Sequence, residues 1–306
     1  MFALIIFMEA NKKAPINWFP SYATNHKIPY GTFVLTEELK HVFKETEIQT
    51  ISQSPYLFLK DTTNSGTYFF VNEIINFGEA EFDELLKFVE RGNDVFMSTN
   101  GVNIKKFNLK TKELASNVFK EHSFYKLLNK NLDSNEYAFD RKTYNFVFSK
   151  MDVSKTTALG KLIIKNSDSI QEAEGVNFIK HRYGKGQFYF HTFPEAFTNY
   201  NLLKDNNHQY VASVLSYLNE SKPILYDTYY KTGKEKITSP MHYILSSDNL
   251  RWAYFTALIG VLFFVVFKGK RTQRIIPVIT PLKNQTLAFT RTIANMYYEK
   301  SEHKSI

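Results

Sequence analysis

Residues 67–98 read TYFFVNEIINFGEAEFDELLKFVERGNDVFMS, and their pattern changes from strand to helix and back to strand. Thr67 to Asn72 is a continuous run of β-branched and aromatic residues, which is typical of a strand buried on both faces. Glu79 to Glu90 then carries apolar residues at helical spacing and ends before Gly92; these are Phe82, Leu85, Leu86 and Val89. Asp94 to Ser98 is the next strand. The order strand, helix, glycine, strand predicts a βαβ unit, and hence a parallel sheet with a right-handed crossover.

The flanking segments extend this α/β pattern. Ile16 to Tyr30 reads as an irregular segment punctuated by prolines, and a helix is predicted after Gly31 with Leu35, Leu39, Val42 and Phe43 on one face. Asn206 to Leu218 is a second predicted helix, with Val211, Val214, Leu215 and Leu218 facing inward. Ile224 to Tyr226 is a short final strand. The pattern therefore predicts one α/β domain over residues 16–230, with a linker over 231–250.

The middle of the chain, from Phe107 to about Phe190, is richer in polar residues and short strand patterns. Gly184-Lys185-Gly186 reads as a hairpin turn between two of them. We expect an antiparallel β-rich insertion or sheet edge beside the parallel sheet. Its predicted strands are Tyr144 to Lys150, Leu159 to Lys165, Val176 to Arg182 and Gln187 to Thr192.

Trp252 to Phe267 reads WAYFTALIGVLFFVVF and contains no charged residue. A membrane helix needs about 20 apolar residues, so this run is short. Its flanks compensate, because Trp252 suits the membrane–water interface and the side chains of Arg251 and Lys268 can extend towards water. The alternative is a buried core helix of a soluble protein, but such a helix usually shows a polar stripe. The sequence predicts a transmembrane helix over residues 251–268.

Basic residues lie on one side of this span: Lys268, Lys270, Arg271 and Arg274. The tail over 269–306, counted together with Lys268, has eight Lys or Arg against two Glu, so most of the chain's net charge of +8 lies there. The positive-inside rule places this tail in the cytoplasm and the α/β domain on the other side of the membrane. No basic stripe with interleaved aromatic residues occurs elsewhere, so the partner expected is a lipid bilayer and not nucleic acid.

Two further segments bear on anchoring. Met1 to Met8 (MFALIIFM) is interpreted as the outer half of an N-terminal anchor, with residues 1–10 as its remnant; the alternative is a first core strand. Asn284 to Tyr298 carries Leu287, Ile293 and Tyr297 at helical spacing with Phe289 beside them. This predicts an amphipathic helix, lying either on the inner leaflet or against a cytosolic partner; a disordered tail is the third alternative.

Most chemical motifs are absent from the sequence. The chain has no cysteine, which excludes disulfides, thiolate metal sites and a cysteine nucleophile. There is no GxSxG elbow and no phosphate loop.

His181 and His191 lie on the two arms of the predicted hairpin and would be cross-strand neighbours, but a two-histidine metal site lacks a suitably spaced carboxylate. The acidic residues Glu79, Glu81, Asp83 and Glu84 suit a helix N-terminus, so neither a metal nor a cofactor is predicted.

His191 to Asn199 reads HTFPEAFTN and links a predicted strand to a helical segment. Loops at the carboxyl ends of parallel strands carry ligands in α/β sheets. Glu195, Asn199 and Asn207 are therefore the candidate ligand-binding residues. The alternative is turn and capping chemistry, because asparagine is an ordinary N-cap.

Three stretches, Phe70 to Ser98, Arg182 to Leu218 and Leu250 to Tyr298, together resemble a family of bacterial membrane-anchored proteins catalogued as a domain of unknown function. The resemblance implies a class I glutamine amidotransferase-like, flavodoxin-related extracytoplasmic domain between N- and C-terminal anchors. It also implies a genomic context near MoxR-type AAA+ ATPases. Amidotransferase chemistry does not carry over, because it requires the cysteine that this chain lacks.

These observations lead to the expectation of a non-enzymatic, membrane-anchored scaffold or binding protein. Its α/β domain would bind a partner or small ligand, and its tail would dock a membrane-associated ATPase complex. Two alternatives stay open. One is a divergent hydrolase or carbohydrate-active enzyme that uses the crevice near Glu195 and Asn199. The other is an auxiliary subunit of an ABC-type export or gliding system.

Overall fold

The computed structural model describes residues 16–114, 121–132, 135–141, 144–166, 172–231, 245, 248–269 and 284–300. The chain divides into two units, with the boundary between residues 236 and 237. The predicted N-terminal anchor, the basic residues Lys270, Arg271 and Arg274, and most of the linker lie outside the described residues.

The first unit is built on a nine-stranded mixed sheet in the order β1-β12-β2-β3-β11-β10-β9-β6-β7. The first five strands in this order pair in parallel, and the remaining pairings are antiparallel. A second, three-stranded sheet has the order β4-β5-β8. The strands are β1 Ile48–Ile51, β2 Thr67–Val71, β3 Asp94–Ser98, β4 Asn103–Ile104, β5 Leu109–Glu113, β6 Glu121–Leu127, β7 Tyr137–Ala138, β8 Phe146–Lys150, β9 Thr156–Asn166, β10 Glu172–Tyr183, β11 Gly186–His191 and β12 Ile224–Asp227.

Helices cover both faces of the parallel half, and strands β2, β3 and β12 are buried along their whole length. The helices of this unit are α1 Phe33–Val42, α2 Pro55–Lys60, α3 Glu79–Glu90, α4 Asn199–Leu203 and α5 Asn207–Leu215. Residues of α1 and α5 share one core with Phe69 and Phe96, whose rings stack at 4.9 Å between centroids. Residues of α2 and α3 share the other core with Phe70. Each fully buried phenylalanine contributes about 1.5–3 kcal/mol through the area removed from water.

The predicted βαβ unit is confirmed. Helix α3 and strand β3 have the predicted bounds, and β2 and β3 pair in parallel with Thr67 opposite Asp94. Every residue of both strands is buried, as the continuous apolar runs indicate. The chain after α3 passes through Gly92 at φ +109°, a conformation that glycine adopts readily.

The antiparallel region forms both the extension of the main sheet and the separate small sheet. The predicted hairpin pairs β10 with β11, and Gly184 occupies the turn at φ +57°. At Gly186 a Cβ atom would lie 2.0 Å from the Asn93 carbonyl oxygen, so this position cannot accept a side chain without a shift of the backbone.

Several sequence predictions need correction. Val42 does not face the core: its side chain is 46% exposed, and the core positions of α1 are Leu35 and Leu39. The predicted helix over residues 206–218 ends as a helix at Leu215, although Leu218 is still buried. Strands β1 and β5 and helix α2 were not predicted; β1 and β5 are largely exposed and carry no alternating pattern.

The second unit contains two described helices, α6 Asp248–Lys268 and α7 Gln285–Glu299. Within α6, Asn249–Lys268 is long and apolar enough to cross a membrane, and none of it is buried inside the protein. The Thr256 hydroxyl donates to the Trp252 carbonyl at 2.8 Å, so its hydrogen bond stays within the helix. Helix α7 begins at Asn284, whose Oδ1 accepts from the Leu287 amide at 3.3 Å.

Candidate functional site at the carboxyl ends of the parallel strands

Strands β2, β3 and β11 are neighbours in the sheet, so the residues that follow them meet at one edge. Glu73, Asn100 and Glu195 follow these strands. The Asn100 amide donates to the Glu73 carbonyl at 2.8 Å, and Asn100 Nδ2 donates to Glu195 Oε1 at 3.0 Å. We call Glu73, Asn100 and Glu195, together with the buried Tyr22, the carboxyl-edge cluster.

Glu195 is held in the cluster by its own backbone. It lies in a 3₁₀ turn, Pro194–Phe197, directly after β11, and its side chain is buried. Its carbonyl accepts from Thr198 Oγ1 at 2.6 Å and from Asn201 Nδ2 at 2.7 Å. These contacts hold the backbone of the turn, and the bond from Asn100 Nδ2 satisfies one oxygen of the buried carboxylate.

Tyr22 belongs to the N-terminal segment and is fully buried. Its φ of +50° is unusual for a residue with a side chain, and its backbone is held by Tyr30 and Thr32, which bond to its amide and its carbonyl. Burial raises the pKa of the Tyr22 phenol well above its usual range, and the carboxylates of Glu195 and Glu73 raise it further. The Tyr22 hydroxyl and Asn100 Oδ1 are buried with no hydrogen-bond partner among the described residues.

Asn199 has a structural role. Its Nδ2 donates to the carbonyls of His26 and Ile28, both at 2.8 Å, and its Oδ1 accepts from the Val34 amide at 2.8 Å. The bonds to His26 and Ile28 hold the N-terminal segment against the sheet edge. The bond from Val34 caps the N-terminus of α1, although Asn199 lies far from α1 in the sequence. Its hydrogen bonds match the capping alternative more closely than the ligand-binding prediction.

Asn207 begins α5, and its buried Nδ2 has no hydrogen-bond partner among the described residues. Asn206 lies at the N-cap position of α5, but its side chain makes no capping hydrogen bond. Of the three predicted residues, only Glu195 is shown in the carboxyl-edge cluster by its contacts.

A second polar group, which the sequence analysis missed, lies beside the cluster inside the core. Ser98 Oγ is 2.8 Å from His191 Nδ1, and His191 Nε2 is 2.9 Å from the Tyr210 hydroxyl. All three side chains are fully buried. Burial lowers the pKa of His191 to about 3, so the imidazole is neutral at physiological pH. Ser98 ends one predicted strand and His191 lies one residue before the end of another, but adjacency of the two strands could not be read from the sequence.

His181 and His191 are not cross-strand neighbours. His181 pairs with Phe188, and His191 pairs with Phe178, in the β10–β11 register. His181 packs against Phe107 on one face of the sheet, whereas His191 packs against Phe197 and Tyr210 on the other. The described residues contain no group of three or more potential His, Cys, Asp or Glu metal ligands.

The acidic residues at the start of α3 make local contacts. Glu81 Oε2 accepts from the Gly78 amide at 3.0 Å and from the Tyr230 hydroxyl at 2.6 Å. Glu84 pairs with Lys87 and Asp83 with Lys106. These contacts agree with the interpretation as a helix N-terminus, where acidic residues are favourable.

The domain also contains a buried lysine that the sequence analysis did not identify. Lys231 Nζ donates to the Val71 carbonyl at 2.7 Å and lies over the Tyr226 ring. Burial lowers the pKa of Lys231 to about 8. Burial also raises the pKa of nearby Asp227, which accepts from the Tyr68 hydroxyl at 2.7 Å. These contacts fix the chain to the sheet where it leaves the domain.

The family described as Domain of unknown function (DUF4350) matches residues 24–215, and the chain belongs to this family. No curated protein matches the chain. The match covers α1 to α5 and four residues of the two polar groups described above, Ser98, Asn100, His191 and Glu195.

Solved structures similar to the chain include the mmIFT52 N-terminal domain, at 15% identity and a TM-score of 0.46, covering 64% of this chain and 91% of that one. The carbohydrate deacetylase Agd3 is 9% identical with a TM-score of 0.36, covering 50% of this chain and 25% of that one. The exo-beta-1,4-mannosidase Op5Man5 from Opitutaceae bacterium strain TAV5 is 11% identical with a TM-score of 0.32, again covering 50% and 25%. The chain thus spans about a quarter of the length of these two enzymes. At these values none of the three informs on activity.

Proposed function

We propose that this member of the DUF4350 family is a non-enzymatic, membrane-anchored binding protein. Its α/β domain binds a small polar ligand at the carboxyl-edge cluster, and its tail docks a membrane-associated complex. The proposal depends on two buried polar atoms near the Glu195 carboxylate, Tyr22 OH and Asn100 Oδ1, which have no hydrogen-bond partner among the described residues.

Each unpaired buried polar atom costs about 1–3 kcal/mol, so two of them at one sheet edge are expensive to retain. A ligand recovers this cost if it accepts from the Tyr22 phenol and donates to the Asn100 amide oxygen. A hydroxyl group does both, and an ammonium group would suit the adjacent carboxylate. We therefore propose a polyhydroxylated or amine-bearing ligand.

The Ser98–His191 pair favours binding over catalysis. A hydrolytic serine must reach a substrate carbonyl, and a catalytic histidine must gain and lose a proton near neutral pH. Ser98 is fully buried, and burial holds the pKa of His191 at about 3. The absence of cysteine removes amidotransferase chemistry.

A divergent hydrolase is the second candidate, because the 2.8 Å contact between Ser98 Oγ and His191 Nδ1 has the composition of a catalytic pair. Hydrolysis of a generic ester, lost in Ser98→Ala and kept in Ser123→Ala, would favour it. Ser123 is a comparably buried serine outside this pair.

The anchor in this proposal is α6. Its apolar window is unburied, Lys268 ends it, and Thr256 is satisfied within the helix, as a lipid environment requires. We place the α/β domain outside a bacterial inner membrane and the tail in the cytoplasm, on the basis of the basic residues after the span.

We also propose a distant relation to amidotransferase-like, flavodoxin-related domains. The parallel half of the sheet and a polar cluster at its carboxyl edge support it. The complex proposed for the tail contains a MoxR-type AAA+ ATPase, with an ABC-type export system as the alternative. Purification through a C-terminal tag in mild detergent distinguishes them by which ATPase is recovered in stoichiometric amount.

The binding proposal is tested by titrating the detergent-solubilised chain with sugars, polyols and amines in calorimetry. Asn100→Ala should abolish the binding found for the wild-type chain. Asn103→Ala, at an exposed asparagine nearby, should leave it unchanged. Equal binding by both variants would show that the ligand lies elsewhere.

A further inference from the structure

Helix α7 has two unlike faces. Phe289, Ile293, Met296 and Tyr297 follow one another at spacings of four, three and one, which places them on one side of the helix. Arg291 and Asn295 lie on the opposite side together with Leu287 and Tyr298, and Glu299 lies between the two sides. The predicted partner Leu287 does not share the first face: it lies about 120° around the helix from Ile293.

The apolar face is exposed. Phe289, Met296 and Tyr297 are each more than half exposed, and no residue of α7 is buried in the structure. Exposed aromatic and aliphatic side chains on one contiguous helix face mark a surface that is covered in use.

The polar groups that border this face are already satisfied. The Thr290 hydroxyl donates to the Thr286 carbonyl at 2.7 Å, and the Thr292 hydroxyl donates to the Ala288 carbonyl at 2.9 Å. Both bonds stay inside the helix, so these hydroxyl groups cost little when the face leaves water.

Charge and distance indicate what covers the face. Lys283 precedes α7, and four basic residues lie within Lys268 to Arg274, so the segment around the helix is strongly basic. Residues 269–284 reach at most about 55 Å when extended, which keeps α7 close to the membrane end of α6. A basic amphipathic helix held beside a bilayer suits a surface of anionic lipids.

We infer that α7 lies on the membrane surface, with Phe289, Ile293, Met296 and Tyr297 among the acyl chains of an anionic leaflet. This rests on the proposed anchor formed by α6. The opposite side, with Arg291 and Asn295, then points away from the lipid and stays available to the complex that the tail docks. The basic residues on either side bind lipid headgroups.

The absence of cysteine makes single labels simple to place. The full-length variants Ile293→Cys and Asn295→Cys, about 160° apart on the helix, each receive a nitroxide label after reconstitution into vesicles. Collision with oxygen, which partitions into lipid, is compared with collision with a water-soluble nickel chelate. Vesicles contain either phosphatidylglycerol or phosphatidylcholine alone.

The expected result is that the label at residue 293 becomes several-fold less accessible to the nickel chelate in phosphatidylglycerol vesicles, whereas the label at 295 stays accessible. High salt should reverse much of this change, because the lipid contact is partly electrostatic. Equal accessibility of the two labels in anionic vesicles would overturn the inference, as would protection of residue 293 only in native membranes, which would indicate a protein partner.

Extraction with alkaline carbonate separates this inference from the proposed anchor. If the protein resists extraction but the label at residue 293 stays in water, the anchor α6 is supported and the proposed membrane contact of α7 is wrong. A chain released by carbonate contradicts the anchor itself.

Discussion

Ser98 and His191 face each other across the parallel pairing of β3 and β11, with Ser98 Oγ 2.8 Å from His191 Nδ1. The second imidazole nitrogen contacts the Tyr210 hydroxyl, which joins the sheet to helix α5. Because the three side chains are fully buried, this network ties the sheet to the helix that covers it. The network stabilises the domain, and we propose that the carboxyl-edge cluster beside it binds a ligand.

Tyr210→Phe tests the structural role of this network. The variant leaves His191 Nε2 buried without a partner, so we expect the free energy of unfolding to fall by about 1–3 kcal/mol in urea denaturation. Tyr144→Phe is the matched control, because Tyr144 is exposed, and it should change stability by less than about 0.5 kcal/mol. Similar values for the two variants would show that the network contributes little.

The pH dependence of stability tests the neutral state of His191. Its pKa is about 3 in the folded protein and about 6.5 in the unfolded chain, so the unfolded chain binds the proton first as the pH falls. Its contribution to stability is complete above pH 6.5 and is lost progressively between pH 6.5 and pH 3, by up to about 1.4 kcal/mol per pH unit. His191→Asn should show a shallower loss over this window. An unchanged slope would mean that His191 does not stay neutral.

Tyr22→Phe should have the opposite effect to Tyr210→Phe. The hydroxyl that it removes is buried and has no partner in the part of the chain that the structure describes, so we expect the free energy of unfolding to stay the same or to rise by about 1 kcal/mol. Ligand binding at the carboxyl-edge cluster should weaken, since the phenol is a proposed donor. A clear loss of stability without ligand would show that the hydroxyl already has a partner in the folded protein.

Asn199→Ala should release the N-terminal segment. Three hydrogen bonds to the backbone are lost, at His26, Ile28 and Val34, and we expect a destabilisation of about 2–4 kcal/mol. Amide hydrogen exchange at Val34 should become faster, because its acceptor is removed. Asn206→Ala is the control, since that side chain makes no capping bond, and a similar loss there would argue against the assigned role of Asn199.

Local pattern determined which elements were predictable. The bounds of α3 and β3 follow from an amphipathic helix beside a fully buried strand, and both were predicted correctly. Strand β1 was missed because two of its four residues are exposed at the sheet edge. Among the residues of the carboxyl-edge cluster, Glu195 was singled out in the sequence because it follows a strand. Asn100 follows β3 in the same way and was overlooked.

Tyr22 could not have been identified from the sequence. Its place in the cluster depends on the N-terminal segment folding back over a distant sheet edge, where Asn199 holds it. Such long-range contacts have no local signal in the sequence. The same reason explains the failure to see that Ser98 and His191 meet, because the strand order was unknown.

The most direct test of a membrane-anchored binding domain is the topology of the full-length protein in intact cells. Val153→Cys places a single thiol on an exposed loop of the α/β domain, and Asn295→Cys places one on the tail. A membrane-impermeant maleimide should label residue 153 in intact bacteria and label residue 295 only after the cells are permeabilised. Equal labelling of both thiols before permeabilisation, or of neither, would contradict the account.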